Sequence, residues 1–390
     1  MNYKKLLTEE LLPKWIEISV DKECGGVFTS FDENHNPKTD TGKHVWFCGR
    51  GMWTYSLAYL LCGPKKEYLD ICEHIFAFLK QCTFPDGKLP QLVERDGEPK
   101  LIKNIFYYTE MFAAMGCAQY YRICKREDVK AQAELYFNYI YEQYMANLNT
   151  NQEEDYRVEC KTFGLHMAML AAAQFVRNAG IEYKKADNAA LTAIEQMQNG
   201  GFVDDKNRCI HEHVTLDGAL FDNEVNNSSC PGHIYEAAWF VMSEGEYRND
   251  DKIRRFGVKL TDYAMPEGFD KITDVIPTVF DLSKSVAENV ESGKFLNWPQ
   301  LEAVTAFLLA YKITGEERYR ELSEKFEKMT FSYFESFEDT IWCREIYKED
   351  GRFVSSRGNG YHINGPFHIE RVLLALGTVA ETGSILEYVK

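Results

Sequence analysis

The 390-residue chain lacks any Cys-x-x-Cys pair, although it carries 11 cysteines. Their odd number, and the placement of Cys48, Cys62, Cys72, Cys82 and Cys117 mostly inside apolar helical stretches, argue against a disulfide framework. Such cysteines pack as small hydrophobes in a reducing compartment. No run of about 18 uncharged apolar residues occurs, which excludes a transmembrane helix. Residues Met1 to Leu12 alternate charge with leucine and lack the apolar centre of a signal peptide. Positive charge is scarce, 44 Lys and Arg against 60 Asp and Glu, for a formal charge of -16. That excludes binding driven by nucleic-acid phosphates, which needs a basic surface. No Gly-Lys-Ser/Thr phosphate loop, Gly-x-Gly-x-x-Gly fingerprint or Gly-x-Ser-x-Gly elbow is present. No Pro/Ser-rich linker divides the chain. These absences predict a soluble, cytoplasmic, single domain over 1–390.

Helical periodicity dominates what is there. It predicts twelve helices, at roughly 5–19, 50–62, 66–81, 106–124, 127–147, 163–178, 184–198, 232–244, 250–265, 299–313, 316–333 and 367–382. Gly63-Pro64, Asn178-Ala-Gly180 and Thr314-Gly315 are stops. Strand and helix do not alternate, so a doubly wound sheet or TIM barrel is disfavoured. The helices come in pairs. Long loops separate some pairs, with turn signals at Phe84–Gly87, Glu94–Gly97 and Lys348–Gly351 that predict small β-hairpins. Loops of this length are usually functional. The economical architecture is all-α, an (α/α)6 barrel of twelve helices. An open solenoid is the competitor, but its repeats should resemble one another and these do not.

Aromatic residues are abundant, 23 Tyr, 25 Phe and 6 Trp. Beyond the core they suit stacking on sugar faces, with Trp46, Trp298 and Trp342 as candidates. Three segments could carry chemistry. Lys43-His-Val-Trp46-Phe-Cys-Gly-Arg50 leads into a helix that Arg50 is expected to open, presenting a fixed guanidinium. A surface arginine packed on tryptophan is the plainer alternative. Cys230-Pro-Gly-His233-Ile-Tyr-Glu236 puts His233 at a helix start with Glu236 three residues on, the same face. The helix N-terminus favours the neutral imidazole, the form of a general base. Metal ligation by the pair would need further ligands at similar spacing, so no metal is expected. Gly365-Pro-Phe367-His368 repeats the arrangement. Two histidines at equivalent helix starts form a natural acid–base pair for inverting one carbon.

Weaker candidates are Tyr108 and Glu110 at the start of a helix, His166 (pocket wall or buried core), Glu302, and Trp298 (sugar stacking or a helix-start staple). In His211-Glu212-His213 alternating residues share a face, so two metal ligands are conceivable but a third is missing. Glu212 is read instead as a ligand of sugar hydroxyls.

At these motifs the sequence resembles the N-acylglucosamine 2-epimerase family, which also holds cellobiose 2-epimerases and aldose–ketose isomerases. The matching pieces are Gly25-Gly26, Lys43-x-x-Trp46-x-x-x-Arg50-x-x-Trp53, Pro231-Gly-His233-x-x-Glu236-Ala-x-Trp239, Trp298-Pro-x-x-Glu302-Ala and Gly365-Pro-Phe367-His368-Ile-x-Arg371, in order over nearly the whole chain. The resemblance implies the (α/α)6 fold, His233 and His368 as the acid–base pair, and Arg50 near the reacting C1–C2 region. From the residues themselves, substrate contacts are expected among Trp46, Tyr108, His166, Glu212, Glu236, Trp298 and Glu302. The resemblance further implies chemistry without a required cofactor, ATP as an allosteric activator, and a homodimer. The wording is closer to the N-acylglucosamine enzymes: a single His166 stands where cellobiose enzymes carry His-x-His. Phe47-Cys48-Gly49 and Glu370 depart from the usual pattern. The expected activity is inversion at C2 of an N-acylated hexosamine. Rivals are a mannose or cellobiose epimerase or isomerase, an (α/α)6 glycoside hydrolase using paired carboxylates, and a non-catalytic binding protein.

Overall fold

The structure, a computed structural model, describes residues 2–32, 34–102, 107–150, 159–221, 227–334, 345–349, 352–355 and 365–384. Its helices in chain order are α1 (Tyr3–Leu6), α2 (Leu12–Ser19), α3 (Trp46–Cys62), α4 (Lys66–Cys82), α5 (Tyr108–Cys124), α6 (Glu127–Ala146), α7 (Phe163–Asn178), α8 (Tyr183–Asn199), α9 (Pro231–Arg248), α10 (Asp251–Tyr263), α11 (Val286–Ser292), α12 (Asn297–Thr314), α13 (Glu317–Phe334) and α14 (His368–Thr382). Each expected helical segment is present. A π-helical stretch, Leu7–Leu11, joins α1 to α2 within the expected first helix. Helix α3 begins at Trp46, so Arg50 lies one turn inside it rather than opening it. The cause is the buried Phe47-Cys48-Gly49 segment, which gains by satisfying its backbone within the helix. Helix α11 was not expected. Its seven residues are too few for periodicity, but Ser285 and Glu288 form a capping box at its start.

The chain forms two compact units. The first comprises Met1–Ala146, Ala171–Ala189 and Arg357–Lys390; the second comprises Asn147–Leu170 and Ala190–Ser356.

In the first unit α3 packs against α4, α5 and α14, and α5 against α6. Helix α3 is buried from Phe47 to Ala58 and α14 from His368 to Val379. A helix buried on every side is enclosed by neighbours rather than laid on a surface. Helix α4 instead buries one stripe, Tyr68, Ile71, Cys72, Ile75, Phe76 and Leu79, at three- and four-residue spacing. Helices α3 and α5 meet at glycine. A Cβ on Gly49 would lie 2.4 Å from the Phe112 carbonyl oxygen, and one on Gly116 would lie 2.5 Å from that of Gly49. This close approach brings Arg50 alongside α5.

In the second unit α9 packs against α10 and α12, and α12 against α13. Helix α9 is buried from Pro231 through Gly245 except at His233, which stays partly exposed; α12 is buried from Asn297 to Phe307. The partners α10 and α13 bury single stripes, such as Phe256 and Leu260, or Tyr319, Ser323 and Phe326. Helix α10 is capped by the Asp250 carboxylate, which accepts from the amides of Lys252 and Ile253.

Two of the three expected hairpins form in the loops, and at Phe84–Gly87 the turn forms without a flanking strand pair. Leu92–Val93 pairs with Pro99–Leu101 across the Glu94–Gly97 turn, which Gly97 N closes onto Glu94 O at 3.0 Å. Gly87 N closes the other turn onto Phe84 O at 2.9 Å. Glu345–Glu349 pairs with Arg352–Ser355, while the intervening turn residues 350 and 351 lie outside the described residues. Lys294–Leu296 adds a third strand. Shorter ladders join Lys161–Thr162 to His213–Val214, Val203–Asp204 to Cys209–Ile210, and Ser228–Ser229 to Phe280–Asp281. No two of the described cysteines form a disulfide. Among the described residues no helix is long and apolar enough to cross a membrane.

Candidate active site

In the second unit, Pro231 occupies the first turn of α9, where its missing N–H is no loss. It places His233 at the third position. The His233 Nδ1 donates to Glu212 Oε1 at 3.0 Å. Glu212 reaches it from the loop after the Cys209–Ile210 strand, and the same oxygen accepts from Gly164 N at 3.2 Å. The second carboxylate oxygen, Oε2, is buried and makes no hydrogen bond among the described residues. Glu212 can therefore orient a histidine with one oxygen and receive a hydroxyl with the other. Burial opposes charge on the His233 ring, but its interactions with Cys230 and with the Glu212 carboxylate outweigh it and hold the imidazole well above its ordinary range. The neutral ring expected from the helix N-terminus is thus opposed by the ring's own neighbours, Cys230 and Glu212.

Trp298 sits against His233, with ring centroids 5.5 Å apart and planes tilted by 37°. Gly232 makes room for it, since a Cβ there would lie 2.3 Å from the indole Cζ3. Glu236 is buried one turn along α9. Glu302 has no exposed surface, and its Oε2 accepts from the Trp239 indole N–H at 2.8 Å. His166 is also fully enclosed, edge-on to Phe202 at 5.6 Å. Burial, aided by the Lys161 charge, pushes its pKa down to about 3, so it is neutral at physiological pH.

In the first unit, the Arg50 guanidinium carbon lies 4.2 Å from the Phe112 ring centre, 4.6 Å from Phe367 and 5.4 Å from Trp46. Arg50 is buried, not the surface arginine of the plainer reading. Desolvated cation–π contacts are worth about 2 kcal/mol, enough to fix the fork's plane. Tyr108 is half-buried as the first residue of α5. Glu110 accepts from Leu89 N at 2.7 Å, and burial pushes its carboxyl up to about 7. One of its oxygens therefore ties down the preceding loop.

His368 is the first residue of α14 and is buried. Arg371 Nη2 lies 3.4 Å from its Nδ1. A guanidinium can only donate, so in that contact this nitrogen is the acceptor. Trp342 lies outside the described residues.

Sequence reasoning assigned no role to Cys230, Phe112, Phe367 or Arg371. Arg371 was within reach, three residues from His368 on one helix face. Phe112 was not, because its place beside Arg50 follows from the glycine crossing of α3 and α5.

A sequence model of the family described as N-acylglucosamine 2-epimerase (GlcNAc 2-epimerase) matches residues 26–365. The chain belongs to this family. It is 24% identical over 376 residues to N-acylglucosamine 2-epimerase of Bos taurus, covering 92% of this chain and 86% of the bovine one. It is 25% identical over 386 residues to cellobiose 2-epimerase of Eubacterium cellulosolvens, covering 89% and 90%. Its structure is similar to that of cellobiose 2-epimerase from Bacillus thermoamylovorans, with a TM-score of 0.79, 19% identity, and 95% and 97% coverage. The fold is accordingly the (α/α)6 barrel expected from the helix pattern. As a family member the protein is a carbohydrate epimerase, an isomerase.

Proposed function

We propose that the protein inverts C2 of an N-acylated hexosamine, interconverting the N-acetylglucosamine and N-acetylmannosamine configurations. The observation that carries this reading is the unlike state of its two histidines. His233 Nδ1 donates to the Glu212 carboxylate, which favours the proton-donating form of its ring, whereas His368 Nδ1 faces the Arg371 guanidinium, which can only donate and so leaves that ring able to take a proton. An acid and a base are what inversion requires.

The sugar opens to its aldehyde form, and the C1 carbonyl makes the C2 proton acidic. The neutral histidine removes that proton to give a cis-enediolate. The charged one returns a proton to the other face of C2, and the reverse reaction exchanges the roles. Arg50 stabilises the oxyanion that develops at C1. The carbonyl supplies the acidity, so the scheme calls on no redox cofactor or metal. Further sugar contacts are assigned to Trp46 and Tyr108, and to Glu212, Glu236 and Trp298. His166 and Glu302, fully enclosed, support them from behind. Allosteric activation by ATP and a homodimeric assembly complete this reading. Added ATP in the activity assay tests the first, and sedimentation tests the second.

The named relatives include cellobiose 2-epimerases, so cellobiose or mannose is the second reading. One experiment separates the readings: NMR in D2O, following deuterium at C2 of N-acetylmannosamine, mannose and cellobiose. Deuterium entering N-acetylmannosamine fastest, and its near-complete loss in both His233→Ala and His368→Ala, is expected. Near-wild-type exchange in either variant would sink the two-histidine scheme.

A further inference from the structure

The segment His211-Glu212-His213 contributes only Glu212 to the proposed chemistry. By alternation alone, His211 and His213 would share a face. In the structure His213 pairs with Thr162 in a separate ladder. His211 instead follows directly on the Cys209–Ile210 strand, whose register sets Cys209 opposite Asp204. Residues opposite one another, and residues two apart along a strand, project from the same face. Asp204, Cys209 and His211 therefore converge.

The His211 Nε2 lies 3.8 Å from Cys209 Sγ and 3.8 Å from Asp204 Oδ2, and all three donor atoms lie within 4.8 Å of one another. The side chains of His211 and Asp204 are largely buried, at 7% and 9% exposed. The Asp204 carboxylate is already held, accepting from the amides of Lys206 and Asn207 and from the Asn207 side chain.

One sulfur, one imidazole nitrogen and one carboxylate oxygen form a borderline-soft donor set, which suits zinc better than magnesium or calcium. With Zn–S near 2.3 Å and Zn–N near 2.0–2.1 Å, tetrahedral ligands sit about 3.3–3.7 Å apart. The two spacings to His211 Nε2 need close by only a few tenths of an ångström, and the third, within 4.8 Å, by about an ångström or less. Cys209 and His211 also line a cavity of about 240 Å³ with Asn207, Tyr263, Met265 and Lys284, which leaves room for a fourth, exchangeable ligand.

We propose that Asp204, Cys209 and His211 form a binding site for a Zn²⁺-class cation, with the fourth position open to this cavity. The site does not depend on the sugar chemistry. Glu212 follows His211 directly, so an occupied site pins the backbone that presents Glu212 to His233.

The test is a Co²⁺ titration of chelator-treated full-length protein, followed by absorbance and then displaced with Zn²⁺. One equivalent with a tetrahedral spectrum and a thiolate-to-cobalt charge-transfer band is expected, and Zn²⁺ should raise Tm. Cys209→Ser should abolish the band, and His211→Ala should weaken Co²⁺ binding by at least about tenfold. A second group, Glu212, Cys230 and His233, also has its donor atoms within 4.8 Å. Cys230→Ser must therefore leave the band in place. A wild-type protein without the band, a band that survives Cys209→Ser, or one lost in Cys230→Ser overturns the assignment.

Discussion

Replacing Glu212 by Gln keeps the shape and one acceptor at His233 Nδ1 but removes the charge 3.0 Å away. A hydrogen bond to a charged partner contributes about 1.5–3 kcal/mol. If that contribution is felt in the proton-transfer step, kcat falls about 10- to 150-fold, since each ~1.4 kcal/mol is a factor of ten. The pH dependence has a definite sign. Burial would lower the His233 pKa, and the carboxylate is among the charges that reverse this, so Glu212→Gln must move the pKa down. In the direction where His233 donates, the alkaline limb of kcat/KM therefore moves to lower pH. In the direction where it accepts, the acidic limb moves to lower pH as well. The assay is deuterium exchange at C2 by NMR across pH in both directions, with initial rates at saturating and limiting sugar. A purely structural role for Glu212 would lower the yield of active enzyme without moving either limb. Unmoved limbs with an unchanged kcat would refute the reasoning altogether.

Three further outcomes are expected. Arg50→Lys keeps the charge but loses the planar fork stacked on Phe112 and Phe367, so kcat should fall by about 10²–10³ with a smaller change in KM; a change confined to KM would place Arg50 in ground-state binding. Gly232→Ala would set a methyl group against the Trp298 ring, so stability should drop by about 1–3 kcal/mol in urea unfolding, with KM raised as the indole is displaced; an unchanged midpoint and KM would show that the ring has room to yield. Glu370, which accepts from the Trp15 indole at 2.8 Å, has its carboxyl pushed from 4.5 up to about 8 by burial. A raised carboxyl stabilises the fold at low pH and loses that contribution as pH climbs towards about 8. Glu370→Gln should therefore gain in Tm on the wild type as pH rises over that range, and a constant difference would contradict the shift.

Much of this was legible in the sequence because the signals are local. Helix pairing, the Pro/Gly-led helix starts and the turn chemistry at Glu94–Gly97 all follow from residues close in the chain, and so did the choice of His233 and His368. The seven-residue α11 fell below the length at which period is readable. The helix-dipole argument for a neutral His233 erred because it could not include Glu212, 21 residues away.

By itself, then, the sequence determined which segments become helices and which histidines stand at helix starts. Backbone propensity and apolar period act over one or two turns, and those are written in adjacent letters. The tertiary structure alone decided the partners: three aromatic rings about Arg50, a carboxylate behind His233, a guanidinium beside His368, and Asp204 opposite Cys209. Those partners set charge and orientation, and they come from close packing such as the glycine crossing of α3 and α5, where tenths of an ångström decide which side chains meet.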